Sequence, residues 1–553
     1  MKKKRILFCG EATYLNTGYA TYWREIITRL HATGKYEIAE LGGYSKPDDK
    51  ELSYHPWKIY PNMPDMNDVS AVEEYNSNVP NQFGEWKFEE ICLDFRPDIV
   101  CDIRDFWMME FEERSPFRRF FHWFIMPTVD AAPQHPQWLS TYSSADAVLS
   151  YSEWGRDVLN RESGGKVNCL GIAPPAADKV YTPVPNKEAH KLSLGLNPDS
   201  IIVGTVMRNQ RRKLFPDLFL AFRKFLDLYK RSNVYLYCHT TYPDVGWNIP
   251  ELISKNGLSG RVLLTYACSG CGSTFPSFFH DALTECKHCH RFQAKLTNPR
   301  EGVSTEVLSQ IVNTFDLYVQ YANSEGFGLP QVEAASCGIP VMSIDYSAMS
   351  SVVRKLGGVP LKPAAKYIEL ETGCFRAVPD NDYFVEKLNE FCSLPKAVRS
   401  NKGFQSRKAF QKNYQWEESA KRWEELFDAA EIRNEKETWD SPANIHEPPK
   451  GYPENLDTKN LVDWLIINVL GDTSKLNSYM AARLIRDLNY GVSTDGTGGV
   501  YYNDGSLLST SPKNKRFVEQ DAYKEMLILA NKKNYWEQVR SKPKWNFGGV
   551  SGK

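Results

Sequence analysis

The sequence predicts an α/β protein with two Rossmann-like domains. Apolar, β-rich runs alternate with amphipathic helical runs as far as about residue 430, and such alternation is typical of a parallel sheet covered by helices. The 553 residues are too many for a single hydrophobic core, which favours two or three domains. A strand, a glycine turn, a helix and a second strand follow one another over residues 315–344, as in a βαβ unit.

Residues 1 to about 190 form the first predicted domain. Residues 21–33 place Trp23, Ile26 and Leu30 at helical spacing, so we expect an amphipathic helix there. Residues 43–86 are rich in Pro, Asn and Asp, and we expect them to form a long surface excursion. Short apolar runs predict strands at residues 6–9, 99–101, 124–126 and 147–150.

A second α/β unit is predicted from about residue 200, and a polar linker and an appended module follow it. The strands of this unit are expected at residues 201–206, 234–238 and 261–266, and its helices at 217–229, 303–313 and 413–428. The linker is expected at residues 434–460. The module is expected to form helices at 461–469, 478–488 and 519–531, with a glycine-rich hairpin at 496–506.

Composition restricts the compartment and the partners. The 67 Lys and Arg residues balance 68 Asp and Glu residues, so no overall field draws the chain to nucleic acid or membrane. The basic start has too few apolar residues for a signal peptide, and no run of about 18 apolar residues exists. We therefore expect a cytoplasmic protein without a transmembrane segment. Its twelve cysteines would be reduced, and clustered thiols would bind metal.

Residues 325–341, EGFGLPQVEAASCGIPV, hold the strongest candidate ligand site. Gly326 and Gly328 allow a ligand to approach the backbone, and the free N–H groups of a helix beginning near residue 329 would face a diphosphate. Glu325 precedes this helix and Glu333 is expected in its first turn, where both could accept hydrogen bonds from sugar hydroxyls. A nucleotide-sugar carries both chemical groups. The alternative is that the glutamates only complement the helix dipole.

The loop after the strand at residues 201–206 is strongly basic. It lies at the carboxyl end of a strand and before a helix, so its cations would neutralise the same diphosphate. The alternative is a patch that binds the DNA backbone. The four cations are Arg208, Arg211, Arg212 and Lys213.

Loops of the first domain hold weaker candidates. Gly18 lies near the start of the first helix and could meet a phosphate, although the loop has neither a G-x-G-x-x-G nor a Walker pattern. Asp130 follows the strand at residues 124–126 and could grip an acceptor hydroxyl or, equally, cap the next segment. Asp105 and His122 are poorer candidates by the same reasoning.

Two C-x-x-C pairs, separated by 14 residues, interrupt the second α/β unit. Four thiolates in a reducing compartment predict a tetrahedral structural zinc site, with the histidines at 288 and 290 in reserve. Catalytic zinc is not expected, because four cysteines leave no open coordination position. The zinc ribbon should emerge from a strand end on the ligand side. Its ligands are Cys268, Cys271, Cys286 and Cys289.

Residues 5–430 resemble the retaining glycosyltransferases of the GT-B fold, in the family 4 class that includes glycogen-synthase-like enzymes and mannosyltransferases. The most specific shared element is the E-x7-E motif, here Glu325 and Glu333. Arg208 and Lys213 also match a basic pair at R-x4-K spacing. Ser152, which opens a helix after the sequence DAVLS, matches as well.

The resemblance implies a role for each matching residue. Arg208 and Lys213 would bind the donor diphosphate, and Gly18 would lie under the phosphates from the other domain. Glu333 would hold the ribose, and Glu325 would face the donor sugar. Backbone amides that contact sugar and phosphate would come from Gly326, Phe327, Gly328 and Leu329.

The acceptor side of the resemblance is less complete. Many members carry a histidine near the reacting sugar, where this chain presents Asp130. The implied catalytic set is therefore Glu325, Arg208, Lys213 and Asp130. It would stabilise the departing diphosphate without a divalent metal.

The resemblance also divides the chain. It implies an acceptor domain (residues 1–195), a nucleotide-sugar donor domain (196–412) with the zinc ribbon inserted at 266–293, and a helix that crosses back (413–430). A linker (431–460) and an appended α-rich module (461–553) complete the chain. The ribbon and the module depart from the family pattern.

The expected reaction is transfer of a hexose or pentose from a nucleotide-sugar, with retention at the anomeric carbon. The preferred acceptor is a hydroxymethylated base in bacteriophage DNA. Two features favour it: a zinc ribbon is expected beside the cleft, and the residues after 504 include ten Lys or Arg but only four Asp or Glu. A viral protein of this kind would act in the host cytoplasm. Protein, lipid-linked sugar and surface glycan are alternative acceptors. An inactive zinc-ribbon protein that binds nucleic acid is the alternative of another class.

Overall fold

The computed structural model describes residues 3–433, except residues 116, 281 and 299–301, together with the strands Val500–Tyr501 and Leu507–Ser509. These two short strands pair antiparallel. The helices expected after residue 460 and the linker from residue 434 lie outside the described residues. Among the described helices, none combines the length and apolar character needed to span a bilayer.

Two parallel sheets covered by helices form the described part of the chain, which confirms the α/β class. The first sheet has seven strands in the order β3-β2-β1-β4-β5-β6-β7, all parallel. Its strands are β1 (Lys4–Glu11), β2 (Tyr36–Gly43), β3 (Lys58–Pro61), β4 (Ile99–Asp102), β5 (His122–Ile125), β6 (Ala147–Ser150) and β7 (Cys169–Ile172).

Helices connect these strands and cover both faces of the sheet. Ser152 caps the helix that begins at Glu153, as the sequence predicts, by accepting a hydrogen bond from the N–H of Gly155. The helices are α1 (Gly18–Ala32), α2 (Val69–Ser77), α3 (Glu85–Phe95), α4 (Phe106–Arg114), α5 (Pro136–Ser143) and α6 (Glu153–Glu162).

The expectation of a surface excursion over residues 43–86 is wrong in part. Residues 58–61 form β3, which pairs with β2 at the edge of the sheet, and residues 69–77 form α2. This strand is four residues long and ends in Pro61. A proline is tolerated on an edge strand because the missing N–H faces no partner, so the turn-like composition hid the strand.

The second domain contains a parallel sheet that is extended at one edge by an antiparallel ribbon. The parallel strands are β8 (Ile201–Val206), β9 (Val234–His239), β10 (Val262–Cys268), β14 (Leu317–Gln320), β15 (Val341–Ile344) and β16 (Val359–Leu361). The ribbon strands are β11 (Thr274–Phe278), β12 (Thr284–Glu285) and β13 (Phe292–Leu296). Both β11 and β13 pair with β10.

The helices of the second domain alternate with its strands, and the domain also contains a β-hairpin. The helices are α7 (Lys187–Ser193), α8 (Phe215–Tyr229), α9 (Ile249–Lys255), α10 (Thr305–Val312), α11 (Leu329–Ser336), α12 (Ser347–Lys355), α13 (Asn381–Ser393), α14 (Lys396–Asn413) and α15 (Trp416–Ala429). The antiparallel hairpin consists of β17 (Pro363–Ile368) and β18 (Phe375–Pro379).

The last of these helices, α15, returns to the first domain. The indole N–H of Trp423 donates to the hydroxyl of Tyr22 on α1 at 2.9 Å, and both side chains are buried. The ring of Trp416 also lies 5.5 Å from that of Tyr22. Burial of such large aromatic surfaces is a strong stabilising contribution, so α15 ties the end of the second domain to the first.

The carboxyl ends of the two parallel sheets face each other. Thr128 and Asp130, after β5, lie against the segment that follows β14 and against β18. The backbone N–H of Phe375 also donates to the carbonyl of Ala132 at 2.8 Å. Ligands of open parallel sheets bind outside the carboxyl ends of the strands, so we expect a ligand site at this boundary.

Candidate functional site

Glu325 lies at the centre of the boundary, between β14 and α11. Its side chain is buried and accepts hydrogen bonds from Lys213 Nζ, from Arg212 Nη1 at 2.6 Å and from Gln320 Nε2 at 2.8 Å. Its backbone N–H donates to Ser347 Oγ at 2.9 Å. A buried carboxylate is tolerated only when it is paired and hydrogen-bonded, and Glu325 meets both conditions.

The glycine turn after Glu325 brings α11 to the same place. Gly328 has φ = +86° and occupies the N-cap position of α11, which begins at Leu329 as the sequence predicts. Glycine has no side chain with which to cap the helix, Pro330 has no N–H, and the N–H of Gln331 donates to the carbonyl of Gly328 at 3.0 Å. The N–H of Leu329, the first residue of α11, is therefore the group that an anion would meet. Phe327 is buried, and its ring packs 5.8 Å from that of Tyr414.

Glu333 lies one turn later than expected. It is the fifth residue of α11, and the first turn of this helix contains no acidic side chain. Complementing the helix dipole therefore does not explain Glu333, because that effect is confined to the first turn. Its carboxylate interacts with the Tyr181 hydroxyl, and burial raises the pKa of Glu333 to about 7. The group is thus poised to change its charge near neutral pH.

The basic loop between β8 and α8 meets Glu325 through its second half. Arg212 and Lys213 hold the Glu325 carboxylate, whereas Arg208 is exposed and pairs with Asp244 at 3.1 Å. The backbone N–H of Asn323 donates to the carbonyl of Arg212 at 2.9 Å, which fixes the loop beside the turn. The structure therefore brings Lys213 to Glu325 but pairs Arg208 with Asp244 on a neighbouring loop.

Gly18 forms the start of α1 on the first-domain side. A Cβ built on Gly18 would meet no atom within 4 Å, so this helix end is open to a ligand. The preceding residue, Thr17, caps the helix by accepting a hydrogen bond from the N–H of Ala20.

Asp130 links the two domains. Its Oδ2 accepts hydrogen bonds from Arg376 Nη1 at 2.8 Å and from Ser324 Oγ at 3.4 Å. The next helix, α5, is capped by His135, so Asp130 does not have the capping role that the sequence left open. The carboxylate instead lies next to the residue that precedes Glu325.

Asp105 lies on the same side as Asp130, whereas His122 does not. The hydroxyl of Tyr19 bonds to Asp105 at 3.1 Å and to Thr128 at 2.8 Å. Burial and the nearby Asp130 raise the pKa of Asp105. His122 begins β5, at the amino end of the sheet, and bonds to the carbonyl of Glu431. The structure therefore does not bring His122 to the boundary where Glu325 and Asp130 lie.

The two domains pack directly against each other at Gly326. A Cβ built on Gly326 would lie 2.5 Å from Cγ2 of Thr128, a distance at which one of the two segments must move. Gly326 therefore permits the turn to pack directly on the first domain.

The four paired cysteines come together at the carboxyl end of β10. Their Sγ atoms all lie within 4.8 Å of one another, with Cys268–Cys289 and Cys271–Cys286 at 3.7 Å. A tetrahedral metal with metal–sulfur bonds of about 2.3 Å requires sulfur–sulfur distances of about 3.8 Å. The donor set therefore fits the predicted metal.

Sequence reasoning did not single out Arg212, Gln320, Ser324 and Arg376 as site residues. Arg212 was one of four cations in the basic loop, and its adjacency to Lys213 was the only local signal. Arg376 is 246 residues from Asp130 in the chain, so no local pattern could have paired them.

Part of the second domain matches a known family. Residues 301–413, which include the Glu325 turn and α11, match the family of glycosyl transferases group 1. This match covers about a fifth of the chain.

Curated relatives are similar over a limited length. The D-inositol 3-phosphate glycosyltransferase of Rhodococcus opacus (strain B4) is 26% identical over 214 residues, which are 38% of this chain and 41% of that protein. The enzyme of the same name from Rhodococcus erythropolis is 28% identical over the same length. The chain thus spans about two fifths of the relatives that it matches.

Solved structures match over both domains. Sucrose-phosphate synthase from Thermosynechococcus elongatus has a TM-score of 0.55 at 16% identity and covers 77% of this chain and 98% of its own. Anabaena HepE in complex with UDP and glucose has a TM-score of 0.53 at 13% identity, covering 77% of this chain and 100% of its own. These likenesses confirm the predicted GT-B fold.

Proposed function

We propose that this protein is a glycosyltransferase that takes its sugar from a nucleotide-sugar donor. The observation that carries the proposal is the meeting of Lys213, Arg212 and the open amino end of α11 around Glu325. Cations and free helix N–H groups bind a diphosphate, and a carboxylate accepts hydrogen bonds from sugar hydroxyls. The match to the glycosyl transferases group 1 family over the same residues supports this proposal.

In this proposal the donor diphosphate takes over two of the partners of Glu325. Lys213 and Arg212 would turn from the carboxylate to the phosphate oxygens, and Arg208 would join them after leaving Asp244. Gly18 would present the amino end of α1 from the other domain. Glu325, with fewer cationic partners, would then accept hydrogen bonds from the sugar, and Glu333 would accept one from the ribose. Stabilisation of the departing diphosphate would supply the main catalytic effect.

The proposal includes retention of configuration at the anomeric carbon. Glu325 is the carboxylate nearest the expected sugar position, and Gln320 would still hold it after Lys213 and Arg212 have turned to the phosphates. It is therefore suited to position the sugar rather than to attack it. Proton NMR of the product would test this point: the anomeric configuration of the donor should be kept, and its inversion would contradict the proposal.

For the acceptor, we propose a hydroxyl group held by Asp130, whose carboxylate borders Ser324. The acceptor that the sequence favours is a hydroxymethylated base in phage DNA, supported by the excess of Lys and Arg after residue 504. The relatives are named for D-inositol 3-phosphate, which makes a small phosphorylated polyol the competing acceptor. Protein, lipid-linked sugar and surface glycan complete a panel in which each donor is tested against each acceptor by mass analysis.

No step of this proposed transfer uses a metal ion. Four cysteine ligands would fill every coordination position of a zinc ion, so the ion predicted for them would be structural. A nucleic-acid-binding protein without activity is the alternative of another class. The presence of both Glu325 and Glu333 and of both Arg208 and Lys213 speaks against it.

A hydrolysis assay tests the proposed activity. The release of nucleoside diphosphate should be measured over a panel of nucleotide-sugars for the wild type and for Glu325→Gln and Lys213→Met. The exposed residues of the same types on α8 and α13 provide the matched controls Lys224→Met and Glu386→Gln. Loss of turnover in Glu325→Gln and Lys213→Met, with turnover retained in both controls, supports the proposal. Full turnover in both Glu325→Gln and Lys213→Met would refute it.

A further inference from the structure

The two C-x-x-C pairs are built alike, beyond the spacing of their cysteines. In the first, the N–H of Gly272 donates to the carbonyl of Cys268; in the second, the N–H of His290 donates to that of Cys286, both at 2.9 Å. The N–H of each leading cysteine donates in turn to the carbonyl five residues on, at Ser273 and Arg291. The two turns are therefore copies of one structural unit.

The same position of each turn adopts a left-handed backbone. Gly272 has φ = +72° and His290 has φ = +56°. A left-handed conformation is unfavourable for a residue other than glycine, so His290 adopts it at a cost that the surrounding structure must offset. Coordination of a metal by both turns would provide that offset.

The ribbon that carries these cysteines is joined to the loop after β9. The side chain of Thr297, just after β13, is buried and donates to the carbonyl of Thr240 at 3.2 Å. The backbone N–H of Tyr242 donates to the carbonyl of Thr297 at 3.3 Å, and the N–H of Thr297 donates to the carbonyl of Thr265 on β10. The end of the ribbon thus fixes the beginning of residues 240–248.

Residues 240–248 in turn hold the basic loop. Asp244 pairs with Arg208, and the side-chain amide of Asn209 exchanges two hydrogen bonds with the backbone of Trp247, both at 2.8 Å. The indole N–H of Trp247 donates to the carbonyl of Lys213 at 2.7 Å. These four contacts of residues 240–248 therefore fall on residues 208–213, the segment that carries the proposed diphosphate ligands.

We infer that the four cysteines bind a structural Zn²⁺ ion, and that this ion braces the basic loop through Thr297 and residues 240–248. The metal would fix the two turns and the end of β13. Residues 240–248 would then hold Arg208 and Lys213 in place for an anionic ligand. The effect on ligand binding rests on the proposed function, whereas the metal site and the brace do not.

Metal content is the first test. Elemental analysis of the full-length protein should find about one zinc per chain, and Cys271→Ser should lose most of it. Cys169→Ser, which changes a partly buried cysteine of the first domain, is the matched control and should keep its zinc. Wild-type protein purified without zinc, or with iron in its place, would overturn the inference.

Hydrogen exchange tests the brace without any ligand. In Cys271→Ser, and in Thr297→Val with its zinc retained, the backbone amides of residues 208–213 and 240–248 should exchange at least about tenfold faster than in the wild type. The exchange of α1 should not change. Unchanged exchange of both segments in both variants would overturn the brace. Thr297→Val keeps the test valid should Cys271→Ser fail to fold.

Ligand binding completes the experiment. Among UDP, GDP, ADP, CDP and dTDP, the compound that binds the wild type best should bind both variants about tenfold more weakly, or about 1.4 kcal/mol. Equal affinity in the wild type and the variants would overturn the effect on ligand binding. If no compound binds the wild type, the proposed function fails, while zinc content and hydrogen exchange still decide the metal site and the brace.

Discussion

Lys213 and Glu325 form a buried ion pair that joins the loop after β8 to the turn after β14. The two residues are 112 positions apart in the chain, and both side chains are 8% exposed. Buried ion pairs contribute little net stability compared with apolar residues, but the loss of one partner is costly. Such a pair is retained where the separate charges have a use, and an anionic ligand would provide one.

The first prediction concerns this pair. Lys213→Met should lower the free energy of unfolding by about 2–4 kcal/mol, because Glu325 keeps only Arg212 and Gln320 as partners in a buried place. The double variant Lys213→Met/Glu325→Gln should recover part of the loss while remaining inactive. Denaturation with urea measures both effects, and a double variant less stable than Lys213→Met would contradict the account.

The second prediction concerns the contact between Gly326 and Thr128. Gly326→Ala should reduce turnover by at least about tenfold, because its Cβ would collide with Cγ2 of Thr128 and part the domains. Thr128→Ser removes that methyl group and keeps the hydroxyl that bonds to Tyr19. The double variant should therefore regain most of the turnover, and failure of this rescue would show that the collision is not the cause.

The third prediction concerns the ionisation of Glu333. Burial raises its pKa to about 7, so the carboxylate becomes charged, and a better acceptor for a ribose hydroxyl, as the pH rises through that value. The affinity for the nucleoside diphosphate should increase between about pH 6 and pH 8. Glu333→Gln should show a weaker dependence, because only the ionisation of the ligand's terminal phosphate at about pH 6 would remain. Calorimetric titration measures both proteins, and an identical pH dependence would argue against this role of Glu333.

The same pKa makes a prediction for stability. Because the pKa of Glu333 is higher in the folded protein than in the unfolded chain, its contribution to stability is full below about pH 4 and is lost as the pH rises through about 7. Glu333→Gln should therefore be more stable than the wild type at pH 8, by about 2 kcal/mol, and no more stable at pH 5. Thermal unfolding at the two pH values gives the comparison.

The fourth prediction separates the acceptor side from the donor side. Asp130→Asn should raise the KM for the acceptor, because the amide is a weaker acceptor for a hydroxyl, while hydrolysis of the donor alone should change by less than about twofold. Asp130→Asn also weakens the contact with Arg376, so donor hydrolysis serves as the internal control. Equal losses in transfer and hydrolysis would show instead that Asp130 acts by holding the two domains together through Arg376.

Local sequence patterns were sufficient for the turn at Glu325, the start of α11 and the basic loop. Each depends on residues close in the chain, such as Gly328 and the proline after Leu329. The edge strand β3 was missed because its four residues ended in proline among turn-forming residues. Glu333 falls in the second turn of α11 rather than the first, because it is the fifth residue of a helix that begins at Leu329 and one turn holds about 3.6 residues.

Long-range pairing explains the remaining differences. No local pattern distinguishes Arg208 from Arg212, because their partners, Asp244 and Glu325, lie on two different loops. Asp130 and Arg376 likewise meet only through the packing of the two domains.

The central claim is that Lys213, Arg212 and the amino end of α11 bind the diphosphate of a nucleotide-sugar. A crystal structure of the protein with the nucleoside diphosphate that binds it best is the most direct test. The account predicts phosphate oxygens at about 3 Å from Lys213 Nζ and from the N–H of Leu329 at the start of α11. A bound nucleotide whose phosphates contact neither group would contradict it.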